Sequence, residues 1–227
     1  GSSSLKFRIF AREGLALLAR GAVSRIGGAA ELSFRLGEME TRQPLAPGAD
    51  HAAALSAVIE AIAAHDDDWR ITAVAHRVVH GGTKYTGPTI VTPEVLADLK
   101  ALIPLAPLHQ PHNLAAIGAS ARLAGHAPDV ACFDTSFHAG RDELFTRFAI
   151  PRDLHDRGVR RYGFHGLSYA WLAEVLARDH PALHAGRVVA AHLGNGASLC
   201  AMLGGRSVDT TMGMTAERAK TIQYSIP

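Results

Sequence analysis

The sequence predicts an α/β fold. Its amino-terminal segments alternate apolar and polar residues and are separated by glycine-rich turns, which is typical of antiparallel strands. The apolar spacing then changes to that of helices, and helical and strand-like segments follow one another along the chain. Three meandering strands followed by helix, strand, helix and strand form one α/β layer unit, and a new meander begins near the carboxyl end.

Three strands are predicted first. A Gly-Ser start leads into an alternating strand that extends to Phe10. Residues 14–26 and 30–36 form the next two strands, on either side of the Gly27-Gly28 turn. We therefore expect a meander of three strands at the amino terminus.

The helices of the amino-terminal half follow from apolar periodicity and from helix-start signals. Apolar residues at helical spacing over 49–65 predict the first helix. Thr92, Pro93 and Glu94 suit the first positions of a helix, so we expect a second helix over 92–103. A third helix and two strands complete this part, at 111–123, 71–79 and 129–133.

The carboxyl-terminal half is predicted to open a second domain. A loop-rich stretch leads to a helix over 168–178 and a strand over 187–192, and a Gly-Asn-Gly turn joins that strand to a hairpin partner over 198–203. We therefore expect one nearly complete domain over residues 1–137 and a second, partial domain over 138–227.

Composition and charge argue against several classes of protein. The 227 residues include 23 basic and 21 acidic ones, a formal net charge of +2, without a basic stripe interleaved with aromatics, so nucleic acid is not an expected partner. No apolar run reaches the roughly 18 residues of a membrane span, and no signal peptide opens the chain. Cys132 and Cys200 lie far apart in strand-like runs, where free buried thiols are expected rather than a disulfide or metal site. These features predict a cytoplasmic protein that does not bind membranes.

Two polar side chains stand at predicted strand ends, where α/β enzymes place their chemistry. Arg77 lies in HRVVHGG and is followed by two glycines. Its planar guanidinium can grip a carboxylate or phosphate through two parallel hydrogen bonds, or form a surface ion pair. Asp134 lies in FDTSFH directly after an apolar run. Its carboxylate can orient a nucleophile, hold Mg²⁺ through water, or cap the next turn.

Further polar groups occur in two other motifs and at the start of the chain. His165 in RRYGFHG follows two arginines, a setting suited to developing phosphoryl charge, although a single histidine is also a common core residue. The run from His192 to Gly196 fits a phosphate-cradling turn or a plain hairpin. The serines before Lys6 can cradle phosphate, or belong to a linker. Zinc-type spacing, a Gly-x-Ser-x-Gly elbow and a Walker-type loop do not occur in the sequence.

An ordered series of motifs runs through the chain: HRVVHGG, APLHQPHNL, FDTSFH, RRYGFHG, HLGNGAS and SVDTTMGMT. With them the chain resembles the amino-terminal part of acetate kinases, which belong with sugar kinases, heat-shock chaperone ATPases and actin. The resemblance extends from Gly1 to about Thr215 and implies a ribonuclease H-like ATPase fold of the actin and sugar-kinase type. It also implies in-line transfer of the γ-phosphoryl group of Mg²⁺-bound ATP to acetate, giving acetyl phosphate and ADP, by a protein that is a homodimer when full length.

The resemblance implies roles for individual residues. Asp134 and His165 correspond to catalytic residues, the histidine stabilising the transition state, and Arg77 corresponds to the arginine that binds the substrate carboxylate. An apolar acyl pocket and two ATP phosphate-binding segments complete the set: Val79, Leu108 and Phe164 for the acyl group, and Ser2, Ser4, Lys6, His192, Leu193, Gly194, Asn195 and Gly196 for ATP. The Asn and Glu residues linked to Mg²⁺ in the family are expected outside this sequence.

The sequence departs from the family pattern at three places. It starts at the Gly of the family's Asn-x-Gly, Leu167-Ser168-Tyr169 replaces Thr-Ser-His, and Ala216 stands where the family has proline. Two further hypotheses therefore stay open. One is a kinase for propionate or butyrate, because pocket size depends partly on position 216. The other is an inactive remnant truncated at both ends.

Overall fold

Two compact units make up the described part of the chain. The structure is a computed structural model that describes residues 3–65, 69–123, 127–194 and 196–215. The described residues of Gly1–His76, Ile90–Leu96 and Pro111–Val130 form the first unit, and those of Arg77–Thr89, Ala97–Gln110 and Ala131–Pro227 form the second. The division of the sequence into domains at residues 137 and 138 stays a prediction.

The first unit begins with an antiparallel sheet of four strands in the order β1-β2-β3-β4. The strands are β1 (Ser4–Phe10), β2 (Leu17–Ser24), β3 (Glu31–Leu36) and β4 (Met39–Pro44). Gly21 of β2 lies opposite Phe7, and a Cβ at this glycine would lie 2.3 Å from the carbonyl oxygen of Ser33 and 2.5 Å from the Phe7 ring. The close approach of the strands therefore requires glycine at this position.

Helix α1 (His51–His65) packs on one face of this sheet. Asp50 caps the helix, because its carboxylate accepts a hydrogen bond of 2.8 Å from the backbone N–H of Ala53. Alternate strand residues and one helix face share the core, whose buried members include Ala19, Val23, Leu32, Phe34, Ala54, Val58 and Ile62. The first helix and the first three strands are confirmed, although the strands are shorter than predicted.

Strand β4 was not expected, so the prediction of a three-stranded meander was wrong. Its sequence METRQP is exposed along its whole length and shows no apolar alternation. The strand nevertheless pairs with β3 in a regular register from Glu31 opposite Pro44 to Leu36 opposite Met39. A polar edge strand carries little sequence signal because neither of its faces is buried.

A second sheet contains β5 (Val74–Val78), β6 (Thr89–Ile90) and β7 (Asp129–Phe133) in the order β5-β7-β6. Its strands contribute residues to both units. Val74 N–H donates to the Pro128 carbonyl, and Asp134 N–H donates to the Val78 carbonyl, each at 3.0 Å. These two bonds show that β5 and β7 run in the same direction, so their carboxyl ends lie at one edge of the sheet.

Two predicted helices lie between these strands in the sequence, α2 (Pro93–Ala101) and α3 (Gln110–Leu123). The Thr92 hydroxyl accepts a hydrogen bond of 3.2 Å from Val95 N–H, so Thr92 caps α2 as its sequence position suggested. A short 3₁₀ helix, Ile103–Leu105, follows α2.

The stretch predicted to be loop-rich contains short helices. They are a 3₁₀ turn at Ser136–His138, α4 (Glu143–Thr146) and α5 (Arg152–Asp156), each too short to show apolar periodicity. The RRYGFHG motif lies in an irregular segment that ends at the next helix.

The second unit ends in a helix pair and an antiparallel sheet. The elements are α6 (Gly166–Asp179), α7 (Pro181–Ala185), β8 (Arg187–Leu193), β9 (Ala197–Leu203) and β10 (Arg206–Thr210), with strand order β10-β9-β8. Their shared core includes Tyr169, Ala173, Ala190, Cys200 and Met202. The predicted β8–β9 hairpin is confirmed, whereas β10 and α7 were not predicted.

Cys132 and Cys200 are both free thiols, and burial raises the pKa of each. Within the described ranges, no helix is long and apolar enough to cross a membrane.

Candidate active site

Arg77 and Asp134 form a bidentate ion pair at the edge where β5 and β7 end. Arg77 Nε lies 3.1 Å from both carboxylate oxygens, and Nη2 lies 2.6 Å from Oδ2. The Asp134 side chain is 2% exposed, whereas the Arg77 side chain is 66% exposed. The hydrogen bond to Asp134, helped by its charge and opposed by burial, raises the pKa of Arg77. A buried carboxylate therefore orients an arginine whose outer edge faces solvent.

The backbone of Asp134 connects two elements of the second unit. Its N–H donates to Val78 of β5, and its carbonyl accepts a hydrogen bond of 2.8 Å from the N–H of Gly166, the first residue of α6. A Cβ at Gly166 would lie 2.3 Å from this carbonyl oxygen. Glycine is therefore needed at the start of α6, where the helix meets Asp134.

His165 immediately precedes α6 and is held by a chain of hydroxyl groups. Its Nδ1 lies 2.8 Å from Ser198 Oγ, which lies 2.6 Å from the Tyr169 hydroxyl. Burial raises the pKa of Tyr169, and hydrogen bonds with Ser198 and the backbone of His192 oppose this. Either hydroxyl can donate in the bond between Tyr169 and Ser198, and the direction of the bond to His165 depends on the tautomer of the ring. A neutral His165 ring that accepts from Ser198 at Nδ1 carries its proton on Nε2.

The environment of His165 favours the neutral ring. Burial is the largest cause that lowers its pKa, the charges of His192 and Arg77 lower it further, and the charge of Asp134 raises it. The backbone of His165 lies next to Asp134, because the following residue, Gly166, donates to the Asp134 carbonyl at 2.8 Å. The backbone φ of His165 is +59°, a left-handed conformation that non-glycine residues adopt at a cost.

His192, at the end of β8, stacks on His165. The ring centroids lie 4.1 Å apart with an angle of 23° between the planes, and His192 Nδ1 lies 3.1 Å from Ser168 Oγ. The following loop passes close to the histidines, because a Cβ at Gly196 would lie 3.2 Å from His165 Nε2. Gly194 N–H donates to the Gly196 carbonyl at 3.1 Å, and Leu193 is strongly exposed. Asn195 lies outside the described residues, so the phosphate-binding role of this loop stays a prediction.

Two of the three predicted acyl-pocket residues are brought together. Val79 and Phe164 are buried in one apolar cluster with Ala106, and Tyr162 and Met212 pack against it. Leu108 is 63% exposed and does not belong to that cluster. Its contact with an acyl group therefore stays a prediction without support from the packing.

His80 was overlooked as a structural residue of the site, although it belongs to the HRVVHGG motif. It is completely buried, and its Nδ1 accepts a hydrogen bond of 2.9 Å from Gly82 N–H. Its ring meets those of Tyr162 and Phe164 edge-on, with centroids 4.4 and 5.5 Å away. Gln110, also buried, donates to the His80 carbonyl at 3.1 Å. His80 and Gln110 thus support the apolar cluster of Val79, Ala106 and Phe164. This role depends on tertiary packing, so only the structure could reveal it.

The residues predicted at the amino terminus belong to the first unit. Ser4 is the first residue of β1, Lys6 is exposed on the same strand, and Ser2 lies outside the described residues. Lys6 lines an open depression on the sheet together with Arg8 and Arg20. Their proposed contact with ATP phosphates is untested.

The metal-binding capacity of the described residues is limited. Groups of three or more His, Cys, Asp or Glu side chains that could hold a metal ion do not occur among them. Asp134 is the one predicted site residue with carboxylate oxygens, the ligand type that Mg²⁺ prefers. Both oxygens already accept hydrogen bonds from Arg77, so a water-mediated contact to a nucleotide-bound Mg²⁺ fits better than direct ligation.

Comparison with solved structures supports the predicted fold class. A propionate kinase from Francisella tularensis subsp. tularensis SCHU S4 matches with a TM-score of 0.88 and 32% sequence identity, over 95% of this chain and 56% of that one. An acetate kinase from Porphyromonas gingivalis matches with a TM-score of 0.81 and 34% identity over the same shares. The actin and sugar-kinase-like class of the prediction is thereby confirmed.

Sequence comparison gives the same relationship. An acetate kinase of Rhodopseudomonas palustris (strain ATCC BAA-98 / CGA009) is 48% identical over 223 residues, which are 95% of this chain and 56% of the relative. An acetate kinase of Deinococcus radiodurans is 43% identical over 222 residues, 95% of this chain and 54% of the relative. The chain therefore spans about half the length of these relatives. Because the model of the acetokinase family matches residues 1–218, the chain belongs to the acetokinase family.

Proposed function

We propose that this chain carries the acyl-phosphate part of an acetate kinase, which transfers the γ-phosphoryl group of ATP to acetate and forms acetyl phosphate and ADP. The observation that carries the proposal is the convergence of Arg77, Asp134 and His165 within the second unit. Phosphoryl transfer depends on positioned positive charge and hydrogen-bond donors more than on covalent chemistry. These three residues supply that arrangement.

Arg77 is proposed to bind the acetate carboxylate. Among the described residues its guanidinium donates to Asp134 only from Nε and Nη2, and a guanidinium has five N–H donors. The remaining donors are available on the exposed side, where a carboxylate can accept two parallel bonds. Asp134 holds the guanidinium plane while it does so.

His165 is proposed to stabilise the charge that develops on the transferred phosphoryl group. Its neutral ring carries the proton on Nε2, and Nδ1 is fixed by Ser198. A donor that is already oriented needs no reorganisation as the charge develops. The apolar cluster around Val79 and Phe164 is proposed to receive the methyl group of acetate.

ATP is proposed as the co-substrate, with phosphates near the loop from His192 to Gly196 and near Lys6. Mg²⁺ bound to ATP would neutralise phosphate charge, and Asp134 would contact it through water. Support for both comes from family membership and from the backbone close to His165 Nε2.

The activity can be tested in a fusion protein, in which residues 1–215 of this chain are joined to the part of the Rhodopseudomonas palustris relative that the chain does not span. We expect acyl phosphate, trapped with hydroxylamine as the hydroxamate, from acetate, ATP and Mg²⁺. Absence of product with acetate, propionate and butyrate, in a folded fusion protein, would contradict the proposal.

Propionate is the second candidate substrate, because a propionate kinase is among the structural relatives with 32% identity. Ala216, the pocket position that departs from the family, lies outside the described residues. Comparison of kcat/KM for acetate, propionate and butyrate in the fusion protein decides between them, and we expect acetate to be preferred.

The 227-residue chain alone is proposed to be inactive. It spans 56% of the Rhodopseudomonas palustris relative, and we assign the adenosine contacts to the remainder of such proteins. Calorimetric titration of the chain with ATP should show no micromolar binding.

We further propose a cytoplasmic location, supported by the free thiols, and a homodimer for the complete protein, supported by the family relationship.

A further inference from the structure

A second polar cavity lies within the second unit, beside the candidate active site. Its volume is about 170 Å³, and its lining includes three arginines, Arg141, Arg160 and Arg161, together with four threonines. None of the proposed catalytic and substrate-binding residues lines it, so it is a separate feature.

The cavity carries an excess of positive charge. Asp209 is the only carboxylate within 4.0 Å of the three guanidinium groups among the described residues; it lies 3.6 Å from Arg141 and 3.1 Å from Arg161. Burial lowers the pKa of Arg141 to about 10, and the charges of Arg161 and Arg160 add to this effect. Three cations therefore share one anion.

The three arginines differ in how many hydrogen bonds their guanidinium groups donate to the protein. Arg141 is fully buried and donates to the carbonyl oxygens of His138, Arg161 and Tyr162 at 3.0, 2.6 and 2.9 Å, so it has a structural role. Arg161 donates to the Thr210 carbonyl at 2.6 Å. These bonds hold both guanidinium groups at the cavity wall.

Arg160 is the least satisfied of the three. Its hydrogen bond to a described residue is from Nη2 to the Thr146 hydroxyl at 3.1 Å, and no described carboxylate pairs with it. Three further threonines line the cavity, Thr83, Thr86 and Thr135, and the Thr135 hydroxyl accepts a hydrogen bond of 3.1 Å from Gly81 N–H. A guanidinium and several hydroxyls around a small concave space are donors that suit an oxyanion.

We propose that this cavity binds one small tetrahedral oxyanion, inorganic phosphate, through Arg160 and Arg161 with support from the threonine hydroxyls. The volume is below the 300 Å³ or so of sites for drug-sized ligands, which suits a single phosphate better than a nucleotide. Thr135 directly follows Asp134, so bound phosphate would contact the segment that carries the active-site aspartate.

The test measures phosphate binding to the 227-residue chain by equilibrium dialysis with radiolabelled inorganic phosphate, at constant ionic strength set with chloride. We expect saturable binding of one phosphate per chain. Arg160→Ala should weaken it about tenfold or more, because a charge-assisted hydrogen bond is lost. The matched control is Arg157→Ala, an exposed arginine outside the cavity, which should bind phosphate like the parent chain.

A second variant guards against misfolding of Arg160→Ala. Thr86→Val removes the hydroxyl of an exposed residue of the cavity lining without changing charge, and it should weaken binding while the circular dichroism spectrum stays unchanged. Arg77→Ala should retain phosphate binding, which separates this cavity from the proposed acetate site. Absence of saturable binding in the parent chain, or equal affinity in the parent and both cavity variants, would overturn the proposal.

Discussion

Ser198 Oγ lies 2.8 Å from Nδ1 of His165, and this hydroxyl is the link between the proposed catalytic histidine and the buried phenol of Tyr169. The family pattern has histidine where this chain has Tyr169. The chain of hydrogen bonds from His165 through Ser198 therefore ends in the Tyr169 phenol. Unlike a histidine, this phenol carries no positive charge near neutral pH.

Replacement of Ser198 by alanine should slow turnover of the fusion protein about fivefold to tenfold, because His165 loses the bond that fixes its tautomer, worth about 1 kcal/mol. KM for acetate should change little. Tyr169→Phe keeps the serine hydroxyl and should have a smaller effect. Steady-state kinetics measure both values.

The matched control for Ser198→Ala is Ser207→Ala. Ser207 Oγ lies 2.8 Å from Nδ1 of the buried His138, so it forms the same kind of pair with a histidine outside the proposed catalytic set. Its removal should lower thermal stability and leave kcat unchanged. Equal kcat values for Ser198→Ala and the parent would contradict the positioning role.

Replacement of Arg77 by alanine should raise the barrier to acetate use by about 2 to 5 kcal/mol, the cost of truncating one partner of a charge pair whose other member stays buried. The loss should appear in kcat/KM for acetate. Arg147→Ala, which removes a half-buried arginine paired with Glu143, is the control and should retain activity. Unchanged KM and kcat in Arg77→Ala would show that Arg77 forms only a surface ion pair and does not bind acetate.

Alanine at Gly166 should destabilise the second unit by about 1 to 3 kcal/mol, because the new Cβ would lie 2.3 Å from the Asp134 carbonyl oxygen and the backbone must move. Urea unfolding of the 227-residue chain measures the change. Gly140→Ala is the control, since no atom lies within 4 Å of its added Cβ. Similar unfolding free energies for the two variants would show that the contact between α6 and Asp134 relaxes freely.

Stability should fall on acidification because of two buried histidines. Burial lowers the pKa of both His80 and His138 to about 4, from an ordinary value of 6.5. The unfolded chain therefore takes up protons between these values and the folded chain does not. The stability that comes from keeping His80 and His138 neutral in the folded chain is complete above about pH 6.5, and it is lost as the pH falls towards 4.

The midpoint of urea unfolding, measured at several pH values between 7 and 4.5, reports this dependence of stability on pH. His138→Gln should make it shallower, whereas His180→Gln, at an exposed position, should leave it unchanged. A midpoint that does not vary with pH would contradict the assignment.

Much of the fold was predictable because its main elements bury one face. Strand β7 was predicted with its observed bounds, and the helix α1 differs by two residues at its start. Strand β4 could not be predicted, since an exposed edge strand gains its order from pairing with β3 and carries no apolar pattern. The helices α4 and α5 have four and five residues, too few to show apolar periodicity, and only α4 has a side-chain cap, from Asp142.

The candidate site was predictable in its residues but not in its connections. The motifs indicated Arg77, Asp134 and His165 one by one, and an ion pair was one of the two roles expected for Arg77. The structure shows that the ion-pair partner is Asp134, so the pair and the proposed site are one arrangement. Ser198 and Tyr169 could not be found as partners of His165, because the contacts join residues 33 and 29 positions apart in sequence.

The left-handed backbone of His165 has a consequence for attempts to engineer this protein. Glycine adopts that conformation without the penalty that a side chain brings, so a search for stabilising replacements would rank glycine highly at position 165. Such a protein would be relieved of the left-handed strain but would lose the imidazole, its bond to Ser198 and its stacking on His192. Replacements at this position therefore trade backbone strain against the proposed catalytic group, and stability screens of this segment need turnover measured alongside.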